Sequence, residues 1–434
     1  MSLITRDRKH LWHPYTQEKT APPPIPIVKA EGVWLYTEDG RKLLDGVSSW
    51  WVNTHGHSNP YINEALAKQA AELEHVIFAG FTHEPAVKLA EMLVDVLPEG
   101  LTRVFYSDNG STSVEVALKM AYQFWRNGGE ERTTFIALEH AYHGDTVGAM
   151  SASDASAFTD PFKELLFKVL RAEAPYSLRC GRCEKRCDLS CAESLEDLLR
   201  KHKDEIAAVI VEPMLQGAGG MIVWTPEYLK RVRELCDEHA VLLIADEVLT
   251  GFGRTGKMFA CEHAGISPDI ICLSKALTAG YLPFGVTAAT EEIYDAFYDD
   301  DRLKTFFHGH SYCANPLACA VAIANLELFE KNGTMDRISF INRKFREFEP
   351  TLSAFDSVEE VRIIGAVLAF EMKVSDSGYL ANIGQELYRE FLSRGIVLRP
   401  LGNVMIFMPP FVIEEKEIDW VLKEVRQVLA SLEK

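Results

Sequence analysis

Residues 241–277 read VLLIADEVLTGFGRTGKMFACEHAGISPDIICLSKAL, and two apolar runs inside this stretch decide the fold. Val241 to Ala245 is uninterrupted and ends in Asp246-Glu247, while Ile270 to Leu273 ends in Ser274-Lys275. Both read as strands buried on both faces of an open α/β sheet, and ligands of such sheets collect just beyond the carboxyl ends of the strands. Asp246 and Lys275 therefore stand where chemistry is expected. Burial discourages charge on either unless it has a partner.

A carboxylate and a lysine on neighbouring strand ends satisfy that requirement with a cofactor between them. Pyridoxal phosphate is the cofactor that takes a lysine amine as a Schiff base and uses a carboxylate to keep its ring nitrogen protonated. Taken singly, each residue reads equally well as part of a structural ion pair. The connecting loop holds two nucleotide-binding look-alikes. Gly251 to Gly256 fits G-x-G-x-x-G, and Gly251 to Lys257 fits the start of a Walker A loop. Met258 occupies the place of the magnesium-binding Ser or Thr, five residues separate the strand from Gly251, and no long helix opens at Gly256, so neither nucleotide reading holds.

Bulk properties narrow the class. A chain of 434 residues, 47% hydrophobic and 25% charged, has room for two or three globular domains. Its net charge of −18 argues against nucleic acid or an anionic membrane as partner. The segment MSLITRDRKHLWHPYT lacks the apolar core of a secretory signal, no apolar run spans a bilayer, and the nine cysteines lie mostly in apolar stretches. A cytoplasmic protein is expected.

Residues 6–17 and the proline cluster after them read as an extended arm. A hairpin around Asp39-Gly40 leads to Trp50-Trp51, two rings that cannot both face one side of a strand. Ser107 to Met120 is a glycine turn entering a helix, with Thr112 and Glu115 as a capping box and an anion site at Gly110-Ser111. Strands at 104–106, 135–138 and 207–211 alternate with helices, which predicts a mainly parallel sheet. Cys180, Cys183, Cys187 and Cys191 contain one C-x-x-C half-site. Structural zinc sites usually pair two such knuckles across a longer gap, so no metal is assigned and the stretch reads as a charged surface insertion. After about residue 326 the rhythm changes to a smaller α+β unit. It holds a helix 379–394, a strand 361–372 and a strand carrying Arg399, which either pairs with a surface carboxylate or grips a substrate's.

Residues 242–277 resemble the class III (omega-type) aminotransferases, and the resemblance covers nearly the whole chain. It implies a fold-type I transferase with a large parallel-sheet domain (51–325), a C-terminal small domain (326–434), and an N-terminal arm and hairpin (1–50) joining the latter. It further implies pyridoxal phosphate on Lys275, with Asp246 at the ring nitrogen, Tyr142 stacked on the ring and Gly110-Ser111 at the phosphate. Asp145 would border the substrate. Gly309, His310 and Ser311 would reach the partner's cofactor across a homodimer interface. Tyr15, Trp50 and Arg399 would line the substrate pocket, as in the branch that converts 8-amino-7-oxononanoate to 7,8-diaminononanoate in biotin synthesis. The substrates are then a small-molecule amino donor and a keto acid. The expected donor is S-adenosylmethionine. His310-Ser311, in place of Pro-Thr, resembles a branch that uses lysine, so lysine is the alternative donor and another omega-amino acid aminotransferase the alternative activity.

Overall fold

The computed structural model describes every residue except 177, 181, 184–186, 375–377, 380 and 434. Its centre is a seven-stranded sheet in the spatial order Leu101–Ser107, Gly285–Thr290, Ile270–Leu273, Leu242–Asp246, Ile206–Val211, Thr134–Leu138, Leu170–Ala172. Gly285–Thr290 runs antiparallel to both neighbours, and the other neighbouring pairs are parallel. The expected mainly parallel sheet is present, with one reversed strand.

The continuous apolar runs follow from burial on two faces. Ile210, Ile244 and Ile270 pack with Val114, Ala117 and Ala121 of helix Gly110–Asn127. The residues between them, Val209, Val211 and Leu243, pack on the opposite side against Leu195 and Leu199 of helix Glu193–Lys201 and Leu229 and Val232 of helix Pro226–Glu238. Each such side chain contributes about 1.5–3 kcal/mol by leaving water, so neither face tolerates a polar residue. Asp246 ends this regime, being the last residue of its strand.

A three-stranded antiparallel sheet, Val358–Ile364, Val367–Met372 and Val404–Phe407, packs with helices Thr334–Ser353 and Glu415–Leu432 in the C-terminal part. Strand Lys42–Asp45 of the expected hairpin pairs in parallel with Ile396–Val397, which fastens the N-terminal segment to that region. Among the described residues no helix is long and apolar enough to cross a membrane.

Several local expectations need correction. The arm is not extended throughout, because Leu3–His10 is a helix whose Ser2 hydroxyl accepts from the Thr5 amide and whose last turn holds Arg8, Lys9 and His10, favourable charges for a helix C-terminus. The single strand expected over 361–372 is two strands joined through Gly365. The helix expected from 379 spans Asn382–Ser393. Arg399 lies beyond its strand, which ends at Val397.

Candidate active site

At the carboxyl ends of the central strands lies a cavity of about 640 Å³ whose wall includes Gly110, Ser111, Tyr142, Asp246 and Lys275. Adjacent parallel strands deliver the last two, with Asp246 level with Cys272, three residues before Lys275. None of residues 251–257 lines this space. The glycine loop serves packing instead. Arg254 is fully buried, sits 4.6 Å from the Phe411 ring and donates to the Pro409 carbonyl at 3.3 Å.

Asp246 is held from two sides. Its Oδ1 accepts the Val248 amide at 3.1 Å, and its Oδ2 lies 2.7 Å from Nδ1 of His143, itself buried. A carboxylate has no proton to give, so the imidazole donates, and the pair leaves further lone pairs on Asp246 for a cation in the cavity. Burial lowers the Lys275 amine below its ordinary range, Asp246 and Glu212 oppose that shift, and Arg254 adds to it. Among the described residues Lys275 makes no ion pair within 4.0 Å, although it shares the cavity with Asp246. The Trp51 ring centre is 5.2 Å from Lys275 Nζ.

The anion site is built from a helix start. The side chain of Asn109, not Thr112, caps helix Gly110–Asn127, accepting from the Thr112 amide at 3.0 Å while the Thr112 hydroxyl accepts from the Asn109 amide. The expected box fails because Glu115 is used elsewhere, accepting the amides of Gly148 and Ala149 at 2.7 and 3.2 Å. Amides in the first turn of a helix have no partner within it, and those of Gly110 and Ser111 belong to that turn. Close packing leaves no room for side chains here. A Cβ on Gly110 would sit 2.6 Å from Val248 Cγ1, and one on Gly144 would sit 2.2 Å from Ser111 Oγ.

Opening beside this cavity is an apolar chamber of about 180 Å³ that shares Trp51, Tyr142 and Lys275 with it and adds Tyr15, Trp50 and Arg399. The Tyr15 hydroxyl donates to Asp145 and lies 3.5 Å from the Tyr142 hydroxyl. Burial and the Asp145 bond push the Tyr15 phenol up to about 12, so it stays a neutral donor. The Arg399 guanidinium lies 4.2 Å from the Trp50 ring centre, and among the described residues it pairs with no carboxylate. Of its two expected uses, the surface ion pair is absent among the described residues.

A left-handed turn separates the two tryptophans. Ser48, Ser49, Trp50 and Trp51 all have positive φ, between 45° and 71°. Such backbone costs roughly 1–2 kcal/mol per non-glycine residue. Asp45, accepting from the Ser49 amide at 2.9 Å and hydroxyl at 2.7 Å, and the Ser48 hydroxyl, donating to the Met408 carbonyl at 2.7 Å, hold it in place. Trp51 is thereby turned to Lys275 and Trp50 to Arg399.

Gly309, His310 and Ser311 are not brought to the cavity within one chain. Gly309 and Ser311 are exposed, beside Phe307 and Tyr312, which are 73% and 62% exposed. Sequence reasoning missed His143 as the partner of Asp246, Trp51 as the ring beside the lysine, and Glu212. The buried Glu212 accepts the amides of Tyr142 at 3.0 Å and Gly217 at 2.9 Å, and burial pushes it up to about 7. Its position at a strand end before Pro213 was the available signal.

Everything in the cavity fits one group: a free amine, a braced carboxylate and a helix start cleared by glycines. The aminotransferase class-III family model matches residues 15–429. The chain belongs to the class-III aminotransferases. It is 46% identical to the adenosylmethionine-8-amino-7-oxononanoate aminotransferase of Geobacter sulfurreducens over 429 residues, covering 96% of this chain and 94% of the relative. It is also 46% identical to the enzyme of the same name from Synechococcus elongatus, covering 98% and 99%. Among solved structures, the Methanocaldococcus jannaschii enzyme of that name superposes with a TM-score of 0.93 at 39% identity, covering 99% and 98% of the two chains. An omega transaminase from Pseudomonas jessenii in complex with PMP gives 0.93 at 28%, covering 99% and 98%. This class-III member is a fold-type I, pyridoxal-phosphate-dependent aminotransferase whose substrates are small molecules.

Proposed function

We propose that the enzyme transfers an amino group to 8-amino-7-oxononanoate, giving 7,8-diaminononanoate for biotin synthesis, with S-adenosylmethionine as donor. Supporting this are the relatives named above and, on the chain itself, Arg399. The acceptor is an apolar chain with a ketone at one end and a carboxylate at the other. An apolar chamber running from Lys275 to an arginine without a carboxylate partner among the described residues matches that outline.

When bound, pyridoxal phosphate supplies an electron-withdrawing ring that stabilises negative charge on the substrate carbon after its proton leaves. Lys275, its affinity for protons lowered by burial, takes that proton on Nζ and returns it as general base and acid. Asp246 maintains positive charge at the ring nitrogen, and His143 fixes the carboxylate in the orientation this requires. Gly110 and Ser111 would hold the phosphate and Tyr142 would lie against the ring, all three lining the cavity. Tyr15 and Trp50 shape the chamber and offer aromatic faces to a sulfonium donor. Donor and acceptor use one site in turn, so double-displacement kinetics are expected.

Residues 1–50 and 326–434 form one unit beside the large domain, 51–325, a division supported by the parallel pairing of Lys42–Asp45 with Ile396–Val397. The working form is a cytoplasmic homodimer in which Gly309, His310 and Ser311 complete the partner's phosphate site. The exposed Phe307 and Tyr312 beside them support this. Light scattering in solution tests it, a monomer being the adverse result. His310-Ser311 favours lysine as a second reading of the donor. Mass spectrometry of the product formed from 8-amino-7-oxononanoate with each donor separately decides between them. Turnover with S-adenosylmethionine is expected, and turnover with lysine alone, or with neither, overturns the assignment.

A further inference from the structure

The cysteine stretch has no part in this chemistry, yet its thiols converge. Sγ atoms of Cys180, Cys183 and Cys191 lie within 4.8 Å of one another, and Cys187 Sγ stands 4.0 Å from Cys183 Sγ and 3.9 Å from Cys191 Sγ. All four are free thiols, and the contacts are far too long for disulfides. A tetrahedron of sulfurs about zinc, with bonds of about 2.3 Å, has edges of about 3.8 Å. The two contacts made by Cys187 are close to that length. An iron–sulfur cluster would hold its cysteines farther apart.

We propose that Cys180, Cys183, Cys187 and Cys191 bind a single zinc ion through four thiolates, as a structural site outside the active site. Zinc(II) displaces the four thiol protons, which leave to solvent, and no oxidation state changes. The described residues around the thiols fit this. The Cys183 amide donates to Cys180 Sγ at 3.3 Å, the contact a C-x-x-C knuckle makes to a thiolate. Arg182, inside the knuckle, pairs with Glu173 at 2.6 Å. Leu189, with φ of 70°, and the short turn Ser190–Ala192 bring Cys191 back to the others, which is how one compact run replaces two separated knuckles. Nor is the stretch a surface insertion throughout, since Cys183 and Cys191 are 7% and 2% exposed and pack in the core cluster of Leu195, Trp224 and Tyr228.

The consequence reaches the active site. Arg179, next to Cys180, pairs with Glu360 at 2.6 Å and Glu371 at 3.1 Å across a side cavity of about 320 Å³, which meets the active site at Tyr142. Zinc would fasten the loop that carries this ion pair.

Metal analysis of the holoenzyme, purified under reducing conditions from zinc-supplemented cells, is expected to find about one zinc per chain, with X-ray absorption giving an all-sulfur shell. Cys183→Ser should abolish the zinc and lower the melting temperature by several degrees, while Cys236→Ala, at a buried thiol on helix Pro226–Glu238, keeps the zinc. If Cys183→Ser fails to fold, titrating the wild type with a mercurial thiol reagent in the presence of a zinc indicator gives a second readout, with stoichiometric release expected. Substoichiometric zinc, a shell containing oxygen or nitrogen, or full zinc retained by Cys183→Ser would each overturn the proposal.

Discussion

The floor of the active site and its outer wall face the same space but are held differently. Asp246 ends one strand and Lys275 follows two residues after the end of its neighbour, and the register of the two strands is set by ladder hydrogen bonds and by apolar packing on both faces. Tyr15, Trp50 and Arg399 come from remote segments and meet through an aromatic contact of 5.3 Å and a cation–π contact of 4.2 Å, while the Tyr15 hydroxyl donates to Asp145. A floor built this way holds its geometry whatever the substrate. The wall depends on side chains that are exposed by a third or more, and it is where selectivity among donors and acceptors can vary without loss of the fold.

Substitutions should divide along this line. Lys275→Ala is expected to cost about 10⁴-fold or more in single-turnover amine transfer, and borohydride should then fix no cofactor on the protein. Asp246→Asn should cost roughly 10³-fold with the fold intact, read by the same assay and by circular dichroism. A hydrogen bond to a charged group is worth about 1.5–3 kcal/mol, so His143→Ala should lower kcat about 10- to 100-fold while KM for the acceptor hardly moves. Arg399→Ala should do the reverse, raising acceptor KM by about tenfold or more with little change in kcat, and lysine at 399 should restore only part because it lacks the planar fork. An Arg399 variant that loses kcat instead would erase the distinction between floor and wall.

The smallest expected effect is on stability. Glu212 titrates at about 7 in the folded chain against 4.5 when unfolded. The folded state therefore binds the proton more tightly, and this contribution is full below pH 4.5 and is lost as pH rises through about 7. Thermal midpoints of the cofactor-free enzyme should fall across that window, and Glu212→Gln should flatten the decline. An unchanged slope in Glu212→Gln would assign it to another group.

What the sequence revealed tracks this same division. Strands 242–246 and 270–273 were legible because burial on two faces writes itself into consecutive residues. The bond between His143 and Asp246 joins positions 103 apart and leaves no local pattern. Nor did the pair of tryptophans reveal which ring faces the lysine, because a left-handed turn of four non-glycine residues contradicts every propensity of Ser and Trp. Glu115 looked like a cap partner by spacing alone and was recruited by a different helix start.

That turn also makes the pocket an unusual target for mutation. Glycine at position 49 would relieve local backbone tension, yet it would surrender the hydroxyl bond to Asp45 and release the two indoles from their opposed headings. A sturdier main chain and a blurred substrate chamber would arrive together. Thermal resistance and selectivity are coupled at this corner, with opposite signs.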